Sequence, residues 1–368
     1  NGVNGSDSGH VRVHQLNNGS WIKLGSDIDG EAANDESGHS VSLSSDGTIV
    51  AVGAHKNNGN GTDSGHVRVY NYTNSDWVQL GSDIDGEAAG DESGISVSLS
   101  SDGAIVAIGA YGNNNYYGHV RVYRYTNNEW EKLGSDIDAT SWSLWGWAVA
   151  LSSDGMILAV SSYGIEKTKI YHYNTTSEEW GQLGNDIDVE VFGDQPNSVA
   201  ISDDGTIVAI GATSNDGNGT NSGHTQIFRY EDNQWTQLGI DIDGEAVDDY
   251  SGTSVALSSN GETVAIGANF NDDGGDAAGH VRVYRLAATA SPTASPTVFP
   301  TVSPTASPTV PPPPNEDGDD NSAQLGIIIG SVAGGIVVIG GVVYLVMNRP
   351  GQSKSDGQPA TNLGNLIF

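Results

Sequence analysis

Four stretches of the chain place carboxylates at positions 1, 3, 5 and 9 of a short segment. They are Asp27, Asp29, Glu31 and Asp35; Asp83, Asp85, Glu87 and Asp91; Asp186, Asp188, Glu190 and Asp194; and Asp241, Asp243, Glu245 and Asp249. Oxygen ligands at such intervals suit calcium, a hard cation that takes six to eight of them. Calcium is therefore the cofactor these residues suggest. The glycine of "DIDGEAAGD", Gly86, falls at position 4, however, whereas calcium loops turn at position 6. Plain strand alternation, with Ile84 inward and Asp83 and Asp85 outward, produces the same spacing. On that second reading Gly86 begins a turn, and the acids face solvent or cap backbone N–H groups.

Aromatic residues offer a different chemistry. "SDIDATSWSLWGWAVALS" (Ser135 to Ser152) drops the acidic segment and carries Trp142, Trp145 and Trp147, while "YGNNNYYG" adds Tyr116 and Tyr117. Exposed aromatic faces stack on sugar rings or anchor a protein partner. The competing reading is that these rings fill space left by the shortened segment. Histidines recur at His10, His66, His119, His224 and His280, and tryptophans followed by Leu-Gly at Trp21, Trp77, Trp130, Trp180 and Trp235. Because each recurs at one place in its unit, both sets read as structural fixtures, the tryptophans packing between neighbouring units.

The elements that position these residues follow from the repeat, whose tryptophans stand 50 to 56 residues apart. Each unit contains four strand patterns, here called A to D: "SVSLS", "IVAIGA", "HVRVYRY" and "WEKLGSDI" in the unit of Trp130. Strand A alternates and strand B is apolar almost throughout, which makes B interior. Asp-Gly or Asn-Gly turns (Asp46-Gly47, Asp102-Gly103, Asp154-Gly155, Asp204-Gly205, Asn260-Gly261) join A to B. Four-stranded antiparallel units at a fixed period predict an all-β fold, a β-propeller with five visible blades. Alternating strand direction then puts the B–C and D–A loops, including the acidic segments, on one end and the A–B and C–D turns on the other.

The stretch "SGISVSLSSDGAIVAIGAYGNNNYYGHVRVY" (Ser93 to Tyr123) resembles the FG-GAP repeat of the integrin α-subunit propeller, and the resemblance runs from Gly38 to Leu286. It implies a propeller with an adhesive or recognition role. The calcium loop of that family lies between strands A and B; here it is cut to a bare turn, so metal binding at that position is not carried over. WD-repeat blades are the nearest alternative, but no Trp-Asp pair follows strand B and the period is too long.

Four regions are expected: a propeller over 1–286, a Ser/Thr/Pro-rich stalk and acidic juxtamembrane segment over 287–324, a transmembrane helix over 325–347 and a cytoplasmic tail over 348–368. Asn1 to His10 align with Asn57 to His66, so the repeat is read as truncated at its start, within a B–C loop. The last unit lacks a strand D, which "SWIKLGSDI" near the amino terminus could supply as a clasp. Leu325 to Met347 is uncharged and long enough to span a bilayer. Acids before it and Arg349 and Lys354 after it orient the propeller outside, as in a type I plasma-membrane protein. Gly326, Gly330 and Gly334 are spaced for self-association of that helix.

The formal net charge of −32 excludes nucleic acid and anionic membrane surfaces as partners. With no cysteine there are no disulfides and no thiol site. Six sequons, at Asn4, Asn18, Asn60, Asn71, Asn174 and Asn218, permit glycosylation. Acid–base catalysis needs carboxylates in individual environments, whereas these are copied from unit to unit. The expectation is a non-enzymatic cell-surface protein recognising an extracellular protein or glycan; a propeller glycosidase and an acidic wall or coat protein are the alternatives.

Overall fold

The computed structural model describes residues 4–164, 167–188, 195–275 and 277–286, together with three short stretches, 327–329, 336–339 and 342–345. The repeat folds as five antiparallel sheets preceded by a two-stranded one. In the first blade strands A to D are Ser40–Leu43, Ile49–Ala54, His66–Thr73 and Asp76–Gln79, and strand B is buried throughout except at its first residue. The second begins with Ser96–Leu99, the third with Trp145–Leu151, the fourth with Pro196–Ile201 and the fifth with Ser251–Ser258. The fifth blade continues with Thr263–Ala268 and His280–Arg285 and has no strand D among the described residues.

Strand D is shorter than the sequence pattern suggests. In the second blade it runs Glu129–Lys132 and then breaks, and Ile137–Asp138 rejoins the start of strand C. The break falls at Gly134, where φ is +80° and an added Cβ would lie 2.8 Å from the ring of Trp180 in the next blade. The Leu-Gly pair of one blade is thus the seat for the tryptophan of the next. Trp77, Trp130, Trp180 and Trp235 each donate their indole N–H across that seam, to the carbonyls of Leu24, Leu80, Leu133 and Leu183. This bears out their expected place between blades.

The core is divided among the seams. Val67, Val69 and Ile84 of the first blade pack on Val97, Val106 and Ile108 of the second, and equivalent clusters fill each following seam. At the opposite end from the long loops, the A–B turns are stitched blade to blade by backbone hydrogen bonds from Ser45 to Ser101, Ser101 to Ser153, Ser153 to Asp203 and Asp203 to Ser259. Each turn is locked internally as well: Asp46 accepts from the Thr48 N–H, and Ser44 Oγ accepts from the Ile49 N–H.

The expected clasp does not form. Ser20–Asp29 pairs with His10–Asn17 across the two-residue turn Asn18-Gly19, both at positive φ. A local hairpin of this type matches strand twist, so the strand meets its chain neighbour rather than the fifth blade. The stalk and tail lie outside the described residues, as do Gly326, Gly330 and Gly334. So does most of 325–347, and the stretches described there, Ile327–Ile329, Ile336–Ile339 and Val342–Leu345, are extended rather than helical. Among the described residues no helix is long and apolar enough to cross a membrane.

Candidate functional site

In the first acidic segments the acids diverge to separate partners. In the first blade Asp83 accepts from Arg68 Nε and Nη2 at 2.8 and 2.7 Å and from Gln79, while Asp85 ends strand D opposite His66. Glu31, from the preceding acidic segment, pairs with the same Arg68 across the seam. Burial would lower the Arg68 pKa, but the hydrogen bonds to Asp83 and Glu31 outweigh it and hold the guanidinium above its ordinary value. Asp83, though also desolvated, is held below the usual carboxylate range by Arg68 and Gln79. Glu87 and Glu245 repeat the cross-seam contact, to Arg121 and Arg282, both at 3.5 Å. Asp27 pairs with Arg12 and Lys23, and Asp186 with Lys167 and Lys169.

Position 9 is a buried cap. Asp91 accepts from the N–H groups of Glu87 and Ala88; Asp35 and Asp249 accept from Ala32 and Ala246 and from the side chains of Asn57 and Asn271. The glycine at position 4 is required by close approach, because a Cβ on Gly86 would lie 2.0 Å from the Ser64 carbonyl oxygen. These geometries match an acidic turn that caps backbone and bridges blades. No segment brings all four of its acids together: Asp186 and Asp188 share Lys167, Asp241 and Asp243 meet beside His224, Asp29 ends its strand, and Glu190 and Asp194 lie outside the described residues. Asn4, Asn60 and Asn218 of the sequons donate their side-chain amides to the carbonyls of Gly30, Gly86 and Gly244, which gives these asparagines a structural role.

The recurring histidines sit at the start of strand C, with His66, His119 and His224 buried. Burial, and then the neighbouring arginine, lowers the pKa of His66 and of His119. Where other blades place Arg68, Arg121, Lys169 and Arg282, the fourth has Gln226, fully buried beside Asp241. Next to this seam an acidic cavity of about 440 Å³ is lined by Asp243, Glu245, Asp249, Asp272, Asp273 and Arg282, among others.

The repeat is least alike at the inner rim of the loop-rich end, where strand A begins and strand B ends. After the strand-A glycine or its equivalent the successive blades carry His39, Ile95, Trp147, Asn197 and Thr253; after strand B they carry His55, Tyr111, Tyr163, Thr213 and Asn269. Contacts join two groups of them, His39 with His55, and Tyr111 through Asn269. The rings of His39 and His55 lie 4.1 Å apart, Trp147 packs between Tyr111 and Tyr163 at 5.1 and 4.8 Å, and Trp147 Nε1 donates to Asn197 Oδ1. Asn197 donates in turn to the Thr253 carbonyl, and Thr253 Oγ1 meets Asn269. Tyr111 Oη donates to Glu92 at 2.5 Å; burial, then this bond, raises its pKa. Burial lowers His39 to about 4 and His55 to about 2, so both rings are neutral near pH 7.

Of the aromatic residues singled out from the sequence, Trp142 and Tyr116 are 55 % and 48 % exposed, Tyr117 is half-buried, and Trp147 is half-buried at the rim. Trp145 corrects the expectation: at 2 % exposure it lies in the seam core with Val149 and Leu158, because a bulge between Trp145 and Ala148 interrupts the alternation of strand A and separates its ring from that of Trp147, two residues on. The rim residues His39, His55, Tyr111 and Tyr163 were not singled out from the sequence. The signal was present in two columns of the repeat, at which no two of these five blades share the same pair of residues.

Comparison with known proteins agrees with this architecture. The FG-GAP repeat family matches residues 28–70. No curated protein matches the chain. Among solved structures, a putative 6-phosphogluconolactonase from Bacteroides uniformis shares 12% identity at a TM-score of 0.55, over 76% of this chain and 75% of that one. A second putative 6-phosphogluconolactonase, from Bacteroides fragilis, shares 14% identity at a TM-score of 0.48, over 73% and 70%. At 12% identity the first likeness is one of fold alone.

Proposed function

We propose that this FG-GAP-repeat propeller is a non-catalytic recognition module, carried at the cell surface on a stalk and a single membrane span, that binds a glycan or protein at its loop-rich end. The observation that carries the reading is the aromatic run of Tyr111, Trp147 and Tyr163, flanked by exposed Trp142 and Tyr116. A propeller blade needs none of these rings, since the other blades place Ile95, Asn197, Thr213 or Asn269 at the rim positions. Aromatic rings held against one another in this way meet the apolar faces of sugar rings, or the anchor residue of a protein, at low entropic cost. The uncharged stretch 325–347 and the Pro-rich stalk support a surface location by sequence pattern.

The test is binding of the full chain to a glycan array and to arrayed extracellular proteins. Trp142→Ala and Tyr163→Ala should each weaken the captured ligand about tenfold or more, the scale of a single aromatic hot spot. Retention of the same ligands by both variants would remove the rim from the account.

A further inference from the structure

We infer that Glu36, His39 and His55 form a binding site for one divalent transition cation of the zinc type at the propeller mouth. One carboxylate oxygen and one nitrogen from each ring lie within 4.8 Å of one another, with His39 Nδ1 and His55 Nε2 each 3.8 Å from Glu36 Oε2. Two imidazoles and a carboxylate suit a cation of intermediate softness; calcium, which takes oxygen ligands, is disfavoured. Three protein ligands leave a four-coordinate ion one open position, here at a mouth already lined by aromatic rings.

Three observations separate this group from the repeated clusters. First, it is confined to the first blade. The corresponding positions are Glu92, Ile95 and Tyr111 in the second blade and Leu144, Trp147 and Tyr163 in the third, so the blade fold does not require it. Second, in the cluster of Glu31, His66 and Asp83 both acids are paired with Arg68, whereas Lys56, the cation acting on Glu36, is held by Glu92 at 2.9 Å. Third, His55 is 4 % exposed, and neither His39 Nε2 nor His55 Nδ1 has a hydrogen-bond partner. Those are the ring nitrogens outside the Glu36 contact; the two that face it, His39 Nδ1 and His55 Nε2, converge on one carboxylate in a largely buried setting, and a metal between them accounts for that convergence. The inference is independent of which ligand the aromatic rim takes.

The experiment is titration of the full, chelator-stripped chain, in detergent, with Co²⁺, followed by displacement with Zn²⁺. One equivalent should bind saturably with the intense visible absorption of four-coordinate Co²⁺ and be displaced by Zn²⁺. His55→Gln should abolish it. Glu36→Gln, at a half-exposed side chain whose loss does not threaten folding, should weaken it at least tenfold. Glu87→Gln, in a repeated cluster, should leave it unchanged. Absence of saturable Co²⁺ binding to the folded protein overturns the inference, and so does binding that Glu36→Gln and His39→Gln leave intact. Weak uptake of many equivalents that vanishes in moderate salt also overturns it, marking only the acidic surface.

Discussion

The indole N–H of Trp130 donates to the carbonyl of Leu80 in the preceding blade at 2.8 Å, while its ring packs on Tyr125 of its own blade. One side chain therefore couples two blades by a polar and an apolar contact at once. Trp130→Phe removes the donor together with one of the two fused rings and should cost about 1–2 kcal/mol. Trp130→Ala also opens the seam and should cost about 3 kcal/mol or more. Urea denaturation of the two variants separates the contributions; equal losses would mean that the donor and the lost ring account for the whole coupling.

Gly86→Ala should be among the most damaging single-methyl additions, since the new Cβ would fall 2.0 Å from the Ser64 carbonyl oxygen, a backbone atom that cannot swing away. A loss of about 2–4 kcal/mol is expected, the range for forced overpacking. By contrast, Asp85→Asn combined with Glu87→Gln should change stability by no more than about 1 kcal/mol, as for exposed ion pairs, and equally with calcium or chelator present. A calcium-dependent difference in thermal midpoint between wild type and that double variant would restore the calcium reading.

Gln226→Arg supplies the fourth blade with the cation its neighbours possess. Asp241 now accepts only amide N–H groups, from Gln226 and Gln237, beside His224. The substitution should stabilise the protein by roughly 0.5–1 kcal/mol through a new pair with Asp241. Repeating it in an Asp241→Asn background should erase the gain, a double-mutant cycle that isolates the pair.

Stability should fall as pH drops below 6.5, well before the carboxylates titrate. Burial first, then Arg68 or Arg121, lowers the pKa of His66 and His119 in the folded protein from the ordinary 6.5. Below 6.5 the unfolded chain therefore binds protons that the folded chain does not. The stabilisation is complete above 6.5 and declines as pH falls, until the native rings also protonate. His39 and His55, lowered to about 4 and about 2, add to the same slope, so replacing His66 and His119 by glutamine should reduce the slope of unfolding free energy between pH 7 and 5 without abolishing it; an unchanged slope would place the titration elsewhere.

Sequence alone determined the elements, because they depend on local period and turn chemistry. Apolar "IVAIGA" set the interior strand, Asp46-Gly47 and its copies set the hairpins, and the recurrence of Trp77 to Trp235 set the blades; alternating "SVSL" suggested a half-covered strand, yet its serines are buried too, bonded to the neighbouring blade. The capping role of the acidic turn was also legible, from a glycine at position 4. What sequence left open was decided by contacts between blades, where residues about 50 positions apart meet. Only there does Arg68 find Glu31 as well as Asp83, so that acids of two successive segments share one cation. Only there do Tyr111, Trp147 and Tyr163 become one surface while Trp145, two residues away, turns into the core. Likewise the ring that faces Glu36 beside His39 belongs to His55, 16 residues on, because strands A and B of one blade start and end at the same mouth. Periodicity dictates which face of a strand is covered; which side chains converge across a seam depends on the radial packing of blades, and that is a property of the assembled ring.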